Sequence, residues 1–159
     1  MPHGGVCKAR NEGLRCAKNE WIAYVDSDNT IMSFFLGVFA KEIIQRPEVK
    51  NFYAQWQPIE GNEINWNMHS FSLSRLMHRN FIDLGSYVHH RSLVDELGRF
   101  DENMKRLVDW DLILRHCLKY KPYYISFCVL NYNNVKSKDR ITCSITDTDK
   151  WIKYVQEKN

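Results

Sequence analysis

The chain has 159 residues, 44% apolar and 13% aromatic, enough for one domain with a real core and too apolar for a disordered segment. Its formal charge of +3 arises from 22 basic and 19 acidic residues, with no block of like charge to mark a nucleic-acid-binding arm. The longest apolar run, residues 31–40, includes Ser33 and is too short to span a bilayer, and the opening Met1-Pro2-His3-Gly4-Gly5 resembles neither a signal nor a transit peptide.

In chain order, Asn11 is placed to cap a short helix over 12–18 with Leu14 and Ala17 facing inward. A strand over 21–25 runs into the acidic turn Asp26-Ser27-Asp28-Asn29. Phe34, Phe35, Val38, Phe39 and Ile43 have helical spacing, and Pro47 ends that helix. Residues 49–56 read as a strand and 58–67 as a loop, whereas 68–79 is basic and fits no single element. An extended stretch over 81–89 leads to a short helix over 92–97, stopped by Gly98. Residues 108–120 form the clearest helix, with Trp110, Ile113, Leu114, Cys117 and Leu118 on one stripe. A strand over 123–132, a polar loop over 133–142 and a helix over 147–157 complete the chain. Helices alternating with strands predict an α/β domain across residues 1–159.

The residue chemistry narrows the function. Side chains two apart on extended backbone share a side, so Asp26 and Asp28 can converge on one hard cation whose other ligands are phosphate oxygens. A polar turn after a strand explains the same residues equally simply. At the start of the clearest helix, Asp109 fits either an N-terminal cap or a general base facing a cleft. Asp111 precedes Arg115 by four residues, the spacing of an intrahelical ion pair.

The remaining motifs are mostly negative. His89 and His90 point to opposite faces of a strand, so one metal cannot readily use both, and the six histidines are read as surface or partner-contacting residues. His69 and His78 could also line an acceptor groove. No zinc spacing, nucleophile elbow, P-loop or G-x-G-x-x-G occurs. Five cysteines without C-x-x-C spacing favour reduced thiols in a cytoplasmic setting, with Cys117 and Cys128 among apolar neighbours.

Three segments, in order, resemble family 2 glycosyltransferases of the GT-A fold. Ala9-Arg10-Asn11-Glu12-Gly13 with the following strand and Asp26-Ser27-Asp28 is similar to the family's A-R-N-x-G helix, central strand and D-x-D turn. Leu97-Gly98-Arg99-Phe100-Asp101-Glu102 is similar to its G-G-F-D-E turn. Val108-Asp109-Trp110-Asp111-Leu112-Ile113-Leu114-Arg115 is similar to its E-D-W-D-L-x-x-R helix.

The resemblance implies a partial GT-A fold, a Rossmann-like mixed sheet flanked by helices. It implies inverting transfer of a sugar from a nucleoside-diphosphate sugar to a hydroxyl of a glycan or lipid-linked acceptor, as in cell-surface polysaccharide synthesis. Asp28 matches the carboxylate that binds the divalent cation (Mn2+ or Mg2+) directly, and Asp26 the one contacting the ribose or the cation's water shell. Asp109 matches the catalytic base, and Arg10 is placed near the diphosphate, where a helix-end salt bridge accounts for it equally well. Val108 stands where the family has Glu, and Val135 where many relatives carry a metal-ligating His.

The family's first strands, which build the nucleoside pocket, would precede this chain's Gly-Gly loop, so the strand at Trp21 is expected to carry an unpaired edge. A partner chain covering that edge, peripheral association with the inner membrane face, and no nucleic-acid partner complete the expectations. The alternatives are an inactive remnant that binds a glycan or protein, and a hydrolase using Asp109 with a second carboxylate.

Overall fold

The computed structural model describes residues 4–58, 70–133 and 148–159. Helix α1 (Gly5–Cys16) leads to strand β1 (Trp21–Ala23), a two-residue strand β2 (Thr30–Ile31), helix α2 (Phe35–Gln45) and strand β3 (Asn51–Pro58). Helix α3 (Leu73–His78), a 3-10 turn (Leu84–Ser86), strand β4 (Tyr87–His90) and helix α4 (Ser92–Leu97) follow. Helix α5 (Val108–Lys119), strand β5 (Tyr123–Tyr132) and helix α6 (Thr148–Lys158) close the chain.

The strands form one mixed sheet in the order β1-β4-β3-β5-β2. β3 runs parallel to β5, and every other pairing is antiparallel. β3 is central and buried on both faces, and its side chains alternate as a period of two requires. Phe52 and Ala54 pack with Phe35 and Phe39 of α2, whereas Tyr53 packs with Leu76, Trp110, Ile113 and Val155 of α3, α5 and α6. Helices therefore cover both faces of an α/β sheet, as predicted.

Several elements differ in extent from the sequence reading. α1 begins seven residues before the expected start at Glu12 and holds Asn11 in its interior, because the Asn11 amide is committed to a distant turn instead of a cap. β1 stops at Ala23, where pairing with β4 ends. The 81–89 stretch is extended only at its ends, because Asp83 accepts the Gly85 N–H and starts a 3-10 turn. The ambiguous basic segment contains α3, capped by Ser72. The expected loops at 58–67 and 133–142 fall largely outside the described residues, as do His69, Val135 and Cys143.

Among the described residues β1 pairs with β4 alone, so its other edge is open as expected. A groove of about 340 Å³ runs beside that edge, lined by Trp21, Ala23, Leu36, Ala40, Ile43 and Ile44 among others. Leu36 and Ile44 are 73% and 79% exposed, unusually bare for large aliphatics flanking a sheet edge.

Candidate functional site

The three sequence motifs are tied together mainly by side chains that grip backbone. Asn11 on α1 meets Phe100 in both directions: its Oδ1 accepts the Phe100 N–H at 3.0 Å, and its Nδ2 donates to the Phe100 carbonyl at 3.0 Å. This amide-to-peptide pairing joins the first motif to the second. Arg115 on α5 donates to the carbonyls of Leu97 (2.7 Å), Gly98 (3.0 Å) and Arg99 (2.9 Å), joining the third motif to the second. Gly98 has φ +88°, a conformation that L side chains rarely adopt, so the turn under Arg115 requires glycine.

Asp111 is fully buried and holds Arg115 at 2.9 Å, with Lys158 and Asn159 on its other oxygen. The predicted intrahelical pair is present, and it explains Asp111 as a structural residue. At the other end of α1, Arg91 caps the helix through the carbonyls of Leu14, Ala17 and Asn19.

The acidic residues left over converge on one end of the sheet. Asp26 opens a turn in which its carbonyl accepts the Asn29 N–H at 3.1 Å, placing Ser27 and exposed Asp28 at the tip. The polar turn expected after the strand is therefore present. The paired strand ends at Ala23, three residues before Asp26, so the turn and not the strand period sets where the two carboxylates point. Arg10 reaches from α1 to Asp26, Nη2 to Oδ1 at 3.2 Å, while its guanidinium lies over the Phe100 ring, 5.4 Å from the centroid. The salt bridge expected of Arg10 exists, but it spans the site instead of closing a helix end.

Asp109 occupies the first turn of α5, one residue after the helix start at Val108. The cap position is held by Leu107, at φ 56°, and not by Asp109. A bulky residue in this left-handed region is uncommon and stores strain two residues before Asp109. Asp109 is half-buried, and burial pushes its carboxyl above the usual carboxylate range. The Trp110 N–H and Arg10 pull the other way, and Asp26 adds to the upward push. Trp110 anchors this turn by donating to the Leu76 carbonyl of α3 at 2.7 Å.

One site residue had no motif to announce it. Asp83 is half-buried, and burial pushes its carboxyl up to about 6 against the pull of the Gly85 N–H, with Asp109 and Asp26 raising it and Arg10 lowering it. β1 pairs antiparallel with β4 as far as Ala23↔Val88, so the segment that follows β1 and the segment that precedes β4 leave the sheet at the same end. Asp26 contacts Arg10, and Asp83 and Asp109 lie near enough to feel the charges of Arg10 and Asp26, although they come from distant parts of the chain. The Asp83-Leu84-Gly85 turn chemistry was visible in the sequence, but its neighbours were not.

The histidines do not all lie at the surface as expected. His89 is fully buried, because β4 lies between β1 and β3 and its inward residues face α5. Its Nε2 lies 3.0 Å from the Tyr24 hydroxyl, and its ring packs against His116. His78 is exposed on α3. Cys7, Cys16, Cys117 and Cys128 are free thiols, as expected of reduced cysteines.

Carboxylate oxygens of Asp26 and Asp28 are hard ligands of the kind a divalent cation takes, and phosphate oxygens and water would have to complete its shell. Among the described residues no group of three His, Cys, Asp or Glu side chains is arranged to hold a metal.

The family model described as Glycosyl transferase family 2 matches residues 1–101. An uncharacterized glycosyltransferase of Haemophilus influenzae is 22% identical, the match covering 96% of this chain and 55% of that protein. The crystal structure of S. aureus TarS superposes with a TM-score of 0.68 at 20% identity, covering 82% of this chain and 24% of that one. TarS 1–349 in complex with UDP-GlcNAc gives a TM-score of 0.73 at 17% identity, covering 96% of this chain and 45% of that one. The chain thus spans about half the length of the Haemophilus protein and less of the TarS structures. The likeness extends to the mixed sheet and its flanking helices, the GT-A architecture.

Proposed function

The chain belongs to glycosyl transferase family 2, and on that premise we propose that residues 1–159 form one domain carrying the acceptor side and the diphosphate side of an inverting glycosyltransferase site. The observation that carries this reading is the Arg10–Asp26 ion pair near half-buried Asp109, whose raised carboxyl, like that of Asp83, feels the charges of both partners. A raised carboxyl is the stronger proton acceptor, and it stands on a helix pinned by Trp110.

Asp109 takes the proton of an acceptor hydroxyl as that oxygen bonds to the anomeric carbon of the donor sugar. The bond from that carbon to the diphosphate breaks in line, the electron pair leaves with the diphosphate, and the configuration inverts. Arg10 offers a guanidinium to the diphosphate and holds Asp26 meanwhile. Asp28 would hold a divalent cation, Mn2+ or Mg2+, directly, and Asp26 would contact the ribose or the cation's water shell. That cation, when bound, supplies charge neutralisation on the departing diphosphate.

We propose a nucleoside-diphosphate sugar as donor and a glycan or lipid-linked acceptor in cell-surface polysaccharide synthesis. The work would be cytoplasmic, with at most peripheral contact with the membrane; no helix among the described residues is long and apolar enough to cross one. The open β1 edge and its apolar groove support pairing there with a further strand from a partner chain. The same open edge favours, as a second reading, an inactive remnant that serves as a glycan- or protein-binding module.

Calorimetry of the chain with MnCl2 and UDP-GlcNAc separates these readings. Metal-dependent binding that disappears in Asp28→Ala is the expected result. A folded chain that binds neither ligand supports the binding module, and binding untouched by Asp28→Ala removes Asp28 from the metal site.

A further inference from the structure

We infer that His89, buried beneath the site, is a positioning residue that fixes Asp26 through Tyr24; the role assigned to Asp26 rests on the reading above. A core position on a central strand is ordinarily apolar, because a buried imidazole must satisfy two ring nitrogens. His89 satisfies both. Its Nδ1 lies 3.0 Å from the His90 carbonyl, which can only accept, so Nδ1 carries the proton. Nε2 is then the acceptor, and the Tyr24 hydroxyl donates to it at 3.0 Å.

The imidazole is itself held in place. His116 packs edge-on at 4.8 Å between centroids, and the His116 Nδ1 is 3.0 Å from the Tyr87 hydroxyl. That hydroxyl accepts from Asn51 Nδ2 at 3.2 Å. Asn51 Nδ2 also donates to the Tyr120 carbonyl at 3.2 Å, tying the set to the end of α5.

Tyr24 is where this buried set meets the site. The chain leaves the β1 ladder after Ala23, and Val25 is 54% exposed, so Tyr24 is the last anchored side chain before the acidic turn. Its ring stacks on His89 and meets Phe100 edge-on at 5.6 Å between centroids. Phe100 is the ring beneath the Arg10 guanidinium, and Arg10 holds Asp26. His89 therefore acts on Asp26 by two routes, through the backbone that follows Tyr24 and through Phe100 and Arg10.

The test compares His89→Leu, Tyr24→Phe and His89→Gln with the unaltered chain. Val155→Ala, a core truncation on α6, is the control for lost stability. Two readouts are taken: the slowly exchanging guanidinium protons of Arg10 by NMR, and the affinity for Mn2+ alone by calorimetry. His89→Leu and Tyr24→Phe should lose the Arg10 signal and weaken Mn2+ about fivefold, the loss of one net hydrogen bond. His89→Gln keeps an acceptor for Tyr24 and should restore both, and Val155→Ala should change neither.

An Arg10 signal that survives in both His89→Leu and Tyr24→Phe overturns the inference, as does failure of His89→Gln to rescue. If the unaltered chain binds no Mn2+ while its Arg10 signal still depends on His89, the positioning role stands and the metal reading falls. If His89→Leu does not fold, Tyr24→Phe, which removes one oxygen, carries the test.

Discussion

Replacing Asp83 with Asn should stabilise the protein, and by an amount that depends on pH. Burial, with smaller pushes from the charges of Asp109 and Asp26, raises the Asp83 carboxyl from the ordinary 3.8 up to about 6. Between those two values the folded chain still holds a proton that the unfolded chain has released. Stability therefore falls as pH rises through this window and stays lowered above it. A rise of that size corresponds to about 3 kcal/mol, an upper bound that partial solvent contact reduces to about 1–3 kcal/mol.

Asn keeps the oxygen that accepts the Gly85 N–H at 2.8 Å, so the 3-10 turn survives and only the charge is lost. Urea unfolding followed by tryptophan fluorescence at pH 8 and pH 4 measures the difference. The variant should be more stable at pH 8 and nearly equal to the parent at pH 4. A variant no more stable than the parent at pH 8 refutes the electrostatic account. A gain of equal size at both pH values would assign the effect to packing. The expected sign fits a general pattern in which charged groups gathered for ligand binding destabilise the empty fold.

Asn11→Ala removes both arms of the pairing with Phe100 and should cost about 2 kcal/mol in urea unfolding; a cost under about 0.5 kcal/mol would mean that the turn holds without it. Burial pushes His89 down to about 4 from 6.5, so the unfolded chain binds a proton across that window while the folded chain does not. That contribution, about 3 kcal/mol above pH 6.5, should be lost as pH falls toward 4. His89→Gln should flatten this acid limb relative to the parent, and an unchanged limb would show that His89 is not its source. In an active form, Asp109→Asn should keep donor binding and lose turnover; loss of donor binding with the fold intact would refute the assignment of Asp109 as base.

Local pattern alone was enough to establish most elements. The apolar stripe of α5, the strand over 123–132 and the stop at Gly98 all follow from side-chain period or turn chemistry, and the structure contains each of them. The α/β class followed from their alternation, and the register of the three motifs pointed to the family. Those motifs encode a clamp as much as a chemistry. Asn11, Gly98, Asp111 and Arg115 hold the turn around Phe100, and no spacing in the sequence separates such residues from catalytic ones.

Only the tertiary structure decided which polar residues share the site. Tyr24 and His89 are 65 residues apart, and Asn11 reaches Phe100 across 89. Asp83 joins Asp26 and Asp109 because β4 pairs with β1 and carries the Asp83 turn to the same end of the sheet. Side-chain period states which face of its own element a residue occupies. Which element covers that face depends on strand order, and strand order is set by contacts between distant residues. That is why Asp26, Asp28 and Asp109 could be proposed from the sequence, while the imidazole of His89 and the carboxylate of Asp83 could not.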